Sequence, residues 1–128
     1  MSRTNRPSKH EICKKIKDAL ESLTARRIMF GTNKHLPDDM DGLEMESEAD
    51  LPPLLIKLLN EINEAGPLEC YAGTRPPLRS YEPEIHRLEL WAYSWQSKQC
   101  GKKMYLKFAL KKEWYVYVDC HPDRPRRD

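Results

Sequence analysis

No segment of this 128-residue chain approaches the run of about 20 consecutive apolar residues that spans a bilayer. The opening Met-Ser-Arg-Thr-Asn-Arg-Pro has cations but not the apolar stretch of a signal peptide. A cytoplasmic protein without a membrane partner is therefore expected. The four cysteines, Cys13, Cys70, Cys100 and Cys120, include no Cys-x-x-Cys pair, which argues against a zinc site and against a secreted disulfide scaffold. Reduced thiols are the expectation. Also missing are Gly-x-Gly-x-x-Gly, a phosphate loop, a Gly-x-Ser-x-Gly elbow and His-Glu-x-x-His, so the sequence lacks the signatures of dinucleotide binding, of serine hydrolases and of zinc proteases. Cys120 and His121 are neighbours on an expected strand and would point to opposite faces, which excludes a thiol-protease pair. There is no internal repeat and no low-complexity tract.

What is present fits one α+β domain over residues 1–128, long enough to bury a sizeable core. Charged residues make up 33% of the chain, but the net charge of only +2 conceals a division. Residues 1–36 hold nine Lys and Arg against three acids, residues 37–69 one against ten, and residues 70–128 twelve against seven. An acidic middle between basic ends either covers a basic surface or points away from an anionic partner.

Ser8 with Glu11 forms a capping box, and Ile12, Ile16, Ala19, Leu20 and Leu23 recur at helical spacing, predicting a helix over residues 9–25. Its charged stripe is an ordinary solvated surface. Residues 26–30 predict a short edge strand. Residues 32–50 read as an irregular acidic loop. Aligning Gly42 with the glycine of a calcium loop puts Pro37 at the first ligand position, so no metal site is expected. Asp50 is the expected cap of a buried helix over residues 51–65, with Pro52 and Pro53 in its first turn and Gly66-Pro67 as its stop. The stiff connection that follows carries Arg75, Arg79, Tyr71 and Tyr81 among prolines and a glycine.

Three runs, residues 87–95, 103–111 and 113–121, alternate with period two and predict a sheet over residues 87–121, an antiparallel meander of three or more strands under two main helices. One face reads Leu88, Leu90 and Ala92, then Met104, Leu106, Phe108 and Leu110, then Trp114, Val116 and Val118, and is expected to be the core. The other reads Trp91, Tyr93 and Trp95, then Lys103, Tyr105 and Lys107, then Tyr115, Tyr117, Asp119 and His121. Rings beside cations suit nucleic acid, because phosphates need Lys and Arg while unpaired bases stack on aromatics. The competing arrangement buries these rings beneath the first helix or the acidic loop as a second small core.

RNA can be cut without a metal or cofactor if one group takes the 2′-hydroxyl proton, a cation steadies the phosphate and another group returns a proton to the leaving oxygen. His121 has the proton-transfer range, Lys103, Lys107 and Arg124 supply charge, and Tyr105 or Tyr117 can orient the sugar. Against this, a single histidine among four is more often structural or exposed than catalytic.

The segments Gly101-Lys102-Lys103-Met104-Tyr105-Leu106-Lys107 and Asp119-Cys120-His121-Pro122-Asp123-Arg124, following helices and a meander, resemble the RelE-like ribonuclease toxin superfamily (MqsR/RelE type) over residues 87–124. The resemblance implies a sheet that presents Lys103, Tyr105, Lys107, His121 and Arg124 to messenger RNA, often within the ribosome, and a cognate antitoxin protein. The leading expectation is a toxin-type endoribonuclease with His121, Lys107, Arg124 and Tyr105 catalytic. Lys103, Arg75, Arg79, Trp91, Tyr93, Trp95 and Tyr117 are expected to hold the RNA. The alternatives are a non-enzymatic module that binds nucleic acid or protein through the same face, and a small interaction protein whose sheet is covered by a partner or by a second copy.

Overall fold

The computed structural model describes residues 7–30, 35–81 and 85–123. Helix α1 (Lys9–Thr24) begins at the expected box: Ser8 Oγ accepts the Glu11 amide at 3.1 Å, and Ile12, Ile16, Ala19 and Leu23 are buried along one side. Helix α3 (Leu51–Ala65) buries Leu51, Leu54, Leu55, Leu58, Leu59 and Ile62 and packs on α1 and the sheet. Asp50 makes no side-chain cap bond to α3. Residues Glu48–Asp50 already form a 3₁₀ turn that runs into the helix, and Ser47 caps that turn by accepting the Ala49 amide at 3.2 Å. Gly66 ends α3 at φ 105°, a conformation that side chains resist, and the short α4 (Pro67–Cys70) follows.

The acidic stretch is not the irregular loop its composition suggests. Helix α2 (Leu36–Gly42) lies within it, with Leu36 and Asp39 buried one turn apart. Seven residues with a proline in the first turn give too short a period to read from sequence.

Strands β1 (Ile28–Met29), β2 (Trp91–Ser97), β3 (Lys102–Lys111) and β4 (Trp114–Pro122) form one sheet in the order β1-β4-β3-β2. The last three make the expected antiparallel meander. β1 corrects the rest of the expectation: it runs parallel to β4, with Ile28 opposite Tyr115 and Met29 opposite Val116. The sheet is therefore mixed, and among the described residues four α-helices accompany it rather than two.

The faces of two strands are the reverse of those the alternation suggests. Trp91, Tyr93 and Trp95 lie opposite Phe108, Leu106 and Met104 and share their face toward the helices. Tyr115 and Tyr117 join them from β4. The rings stack in series, with Tyr93 and Phe108 centroids 6.1 Å apart and Phe108 and Tyr115 centroids 5.1 Å apart. A large ring buries more apolar surface than a valine or alanine, at roughly 25 cal/mol per Å², so the aromatic side of each strand outcompetes the aliphatic side for the helix-covered face. The displaced aliphatics form a smaller cluster on the opposite face, where Ile85, Leu88, Leu90 and Met29 pack on Ala109, Val116 and Val118.

β3 keeps the expected phase, and β4 changes phase part-way. Lys107 pairs with Asp119 but Phe108 pairs with Tyr117, which leaves Val118 as an extra residue. This is a β-bulge, and it puts Val118 and Asp119 on the same side. Tyr115, Tyr117 and Cys120 consequently face the helices, while Val116, Val118, Asp119 and His121 face away.

Candidate active site on the open sheet face

Beyond the Ile85 cluster, the outer face of the sheet carries three rows of side chains across β2, β3 and β4. Ala92, Lys107 and Asp119 form one row, Ser94, Tyr105 and His121 the next, and Gln96 and Lys103 continue the sequence, with the Asp123 amide donating to the Lys103 carbonyl at 2.9 Å.

The central row holds a ring stack. The Tyr105 and His121 rings stack with centroids 5.3 Å apart and planes 27° from parallel. Lys107 Nζ lies 5.7 Å from the Tyr105 ring centroid. His121 Nδ1 is 2.8 Å from the Pro122 carbonyl oxygen. A carbonyl only accepts, so Nδ1 carries the hydrogen and Nε2 is the basic atom of the neutral ring. Burial raises the Tyr105 phenol pKa and Lys107 only partly offsets it, so Tyr105 remains an O–H donor at neutral pH.

Each lysine has a loose carboxylate neighbour. Lys107 Nζ is 3.6 Å from Asp119 Oδ2, and Lys103 Nζ is 3.8 Å from Asp123 Oδ2. Asp123 is itself held by the Ser94 hydroxyl, which donates to Oδ2. Such partly exposed pairs contribute about 0–1 kcal/mol, so neither fixes its lysine firmly.

Lys103, Tyr105, Lys107 and His121 are thus brought together. Trp91, Tyr93, Trp95 and Tyr117 are not: they are 0–4% exposed beneath the helices, and the polar atoms of the last three are used there. Tyr93 Oη donates to the Ile12 carbonyl at 3.0 Å, Trp95 Nε1 to Glu61 Oε1 at 3.0 Å, and Tyr117 Oη to Asp39 Oδ2 at 2.6 Å. These rings cannot stack on bases. Arg75 lies over the Tyr71 ring, 5.3 Å from its centroid, and donates to the Pro7 carbonyl beside α1. Arg79 bridges Glu89, two residues before Trp91 on the same side of the chain, so it too falls on the helix side. Neither arginine reaches the Tyr105–His121 row. Arg124 lies outside the described residues. Ser94, Gln96, Asp119 and Asp123 complete the face. Ser94 and Gln96 were hidden from sequence reading because β2 is inverted relative to its aliphatic pattern.

No protein-family model, curated protein or solved structure matches this chain. The chemistry of the face is what remains to assign it. It offers an imidazole whose Nδ1 is engaged by a backbone carbonyl, a protonated phenol stacked on it, and two primary ammonium groups within two residues of the phenol along β3.

Proposed function

We propose that the open sheet face is the site of a toxin-type endoribonuclease that cuts RNA by general acid–base chemistry. The observation that carries this reading is the Tyr105–His121 stack with Lys107 against the tyrosine ring. In this mechanism His121 Nε2 removes the 2′-hydroxyl proton as O2′ forms its bond to phosphorus. The P–O5′ bond breaks, leaving a 2′,3′-cyclic phosphate. Tyr105 gives its proton to the departing O5′, and the resulting phenolate is steadied by Lys107 until the imidazolium proton returns through water. Lys107 and Lys103 hold the phosphate by exchanging Asp119 and Asp123 for its oxygens.

The resemblance of residues 101–107 and 119–124 to RelE-like toxins supports the same reading. It makes ribosome-associated messenger RNA the preferred substrate, the cytoplasm the working compartment and an antitoxin protein the natural inhibitor. Among the described residues no helix is long and apolar enough to cross a membrane.

The test is RNA integrity, with and without translating ribosomes, for wild type and for folded His121→Ala. Fragments ending in a cyclic phosphate from wild type alone support the reading. Intact RNA from both removes the catalytic role.

The Lys107–Asp119 and Lys103–Asp123 pairs favour a second reading, a non-enzymatic module whose face binds a partner of mixed charge. Such a module keeps its affinity in His121→Ala and loses it in Lys107→Ala.

A further inference from the structure

Among the acids of residues 37–50, Asp39 stands apart. Asp38 and Asp41 are exposed, whereas Asp39 is 5% exposed, at the point where α2 meets β4. A carboxylate withdrawn from water costs several kcal/mol unless its oxygens are bonded, so its retention needs a specific set of donors. Those donors are the Tyr117 hydroxyl at 2.6 Å and the Cys120 amide at 3.0 Å, both on Oδ2. They flank Val118 and Asp119, the two residues that the bulge places on one side of β4.

The bulge decides where His121 points. With unbroken alternation from Val116 and Val118, Cys120 would face outward and His121 would enter the core. The extra residue reverses this, so that Cys120 is fully buried and His121 meets Tyr105. We infer that Asp39 is a positioning residue for His121, clamping β4 on both sides of the Val118 bulge and so holding the imidazole on the Tyr105 face. The catalytic consequence rests on the ribonuclease reading; the placement of the ring does not.

Asp39→Ala removes both arms, Tyr117→Phe removes one and keeps the ring, and Asp39→Asn keeps an acceptor oxygen in the same place. Two readouts are needed. One is proton NMR contact between the His121 and Tyr105 rings, with Tyr93–Phe108 contacts as the control for an intact core. The other is RNA cleavage, separated into kcat and KM.

The expected result for Asp39→Ala is loss of the His121–Tyr105 contact with the core contacts kept, and a fall in kcat of about 100-fold at little change in KM. Tyr117→Phe should give a smaller fall, and Asp39→Asn should restore both contact and rate. If Asp39→Ala fails to fold, Tyr117→Phe carries the same comparison. An undisturbed His121–Tyr105 contact and unchanged kcat in folded Asp39→Ala and Tyr117→Phe would overturn the inference. A wild type that leaves RNA intact, with the contact still lost in Asp39→Ala, overturns the ribonuclease reading and upholds the placement.

Discussion

The Tyr105 ring lies against the His121 ring at 5.3 Å, on adjacent strands and at paired positions. The stack and the hydroxyl can be separated by mutation. Tyr105→Phe keeps the ring and loses the hydroxyl, so in the ribonuclease mechanism proposed above RNA cleavage should fall about 100-fold with little change in RNA affinity. Tyr105→Ala should in addition loosen the imidazole and lower affinity. Single-turnover cleavage beside equilibrium binding separates the two; equal cleavage by Tyr105→Phe and wild type would remove the phenol from the mechanism.

Binding through Lys103 and Lys107 should depend on salt. Replacing either by alanine should reduce the slope of log affinity against log salt by about one, and the double substitution by about two. Titrating a single-stranded RNA at several salt concentrations measures this. A slope unchanged in the double variant would mean that neither ammonium meets a phosphate.

Glu61 is the anchor of the β2–β3 hairpin. Its carboxylate accepts from Trp95 Nε1, from Ser97 Oγ at 2.6 Å and from the Lys98 and Gln99 amides at 3.0 and 2.9 Å. Glu61→Ala leaves four donors without their acceptor and should cost about 2–4 kcal/mol, read from urea unfolding. A loss under 1 kcal/mol would mean that water replaces the carboxylate at no cost.

Glu61 and Asp39 should act on acid stability with opposite sign. Desolvation raises the Glu61 pKa, but its hydrogen bonds together more than reverse this and bring it below 4.5. Its contribution is therefore present above the unfolded value and is lost as pH falls through the lower folded value. Asp39 is raised above 3.8, chiefly by burial, which outweighs the bonds from Tyr117 and Cys120. For Asp39 the unfolded chain releases its proton first, so stability falls as pH rises from 3.8 through the folded value. Glu61→Gln should flatten the loss of stability on acidification, and Asp39→Asn should steepen it. Unfolding measured between pH 3 and pH 6 checks both, and parallel curves for the two variants would contradict the assignment.

Tyr115 Oη is buried with no hydrogen-bond partner among the described residues. Removing it in Tyr115→Phe should leave stability unchanged or raise it by about 1 kcal/mol. Tyr93→Phe, which removes the bond to the Ile12 carbonyl, should lower it by about 1 kcal/mol. Thermal unfolding of the pair provides the comparison, and equal losses in both would show that Tyr115 is satisfied by water.

The two long helices and the meander can be read from the sequence because each rests on many repeats of one period. Ile12 to Leu23 and Leu51 to Ile62 repeat helically, and Met104 to Leu110 alternates cleanly, which also places Lys103, Tyr105 and Lys107 on one face. The faces of β2 and of the start of β4 could not be read. Leu88 and Leu90 lead into β2 in phase with Ala92 and so point to the wrong side, and β4 is apolar on both sides, so the choice between Tyr117 and Val118 depends on which set fills the space under the helices. Alternation through Tyr115, Tyr117 and Asp119 places His121 on the face of Tyr105, but the two tyrosines face the helices, and the Val118 bulge that puts His121 there leaves no mark in the residue pattern. Asp39 was invisible for a related reason: in a run of acids nothing distinguishes the one that a distant strand will bury.

The parallel pairing of β1 with β4 also orders assembly in time. Ile28 and Met29 emerge during synthesis long before Tyr115 and Val116 exist to receive them. Asp39 waits for the same strand, since both of its donors belong to β4. A nascent chain that has made α1, α2 and α3 therefore holds their apolar sides without a finished sheet, in the condition most prone to misassociation. β4 is thus the strand that receives β1, holds Asp39 and carries His121. A chain cut short before that strand lacks the partner of β1, both donors to Asp39 and the histidine of the open face.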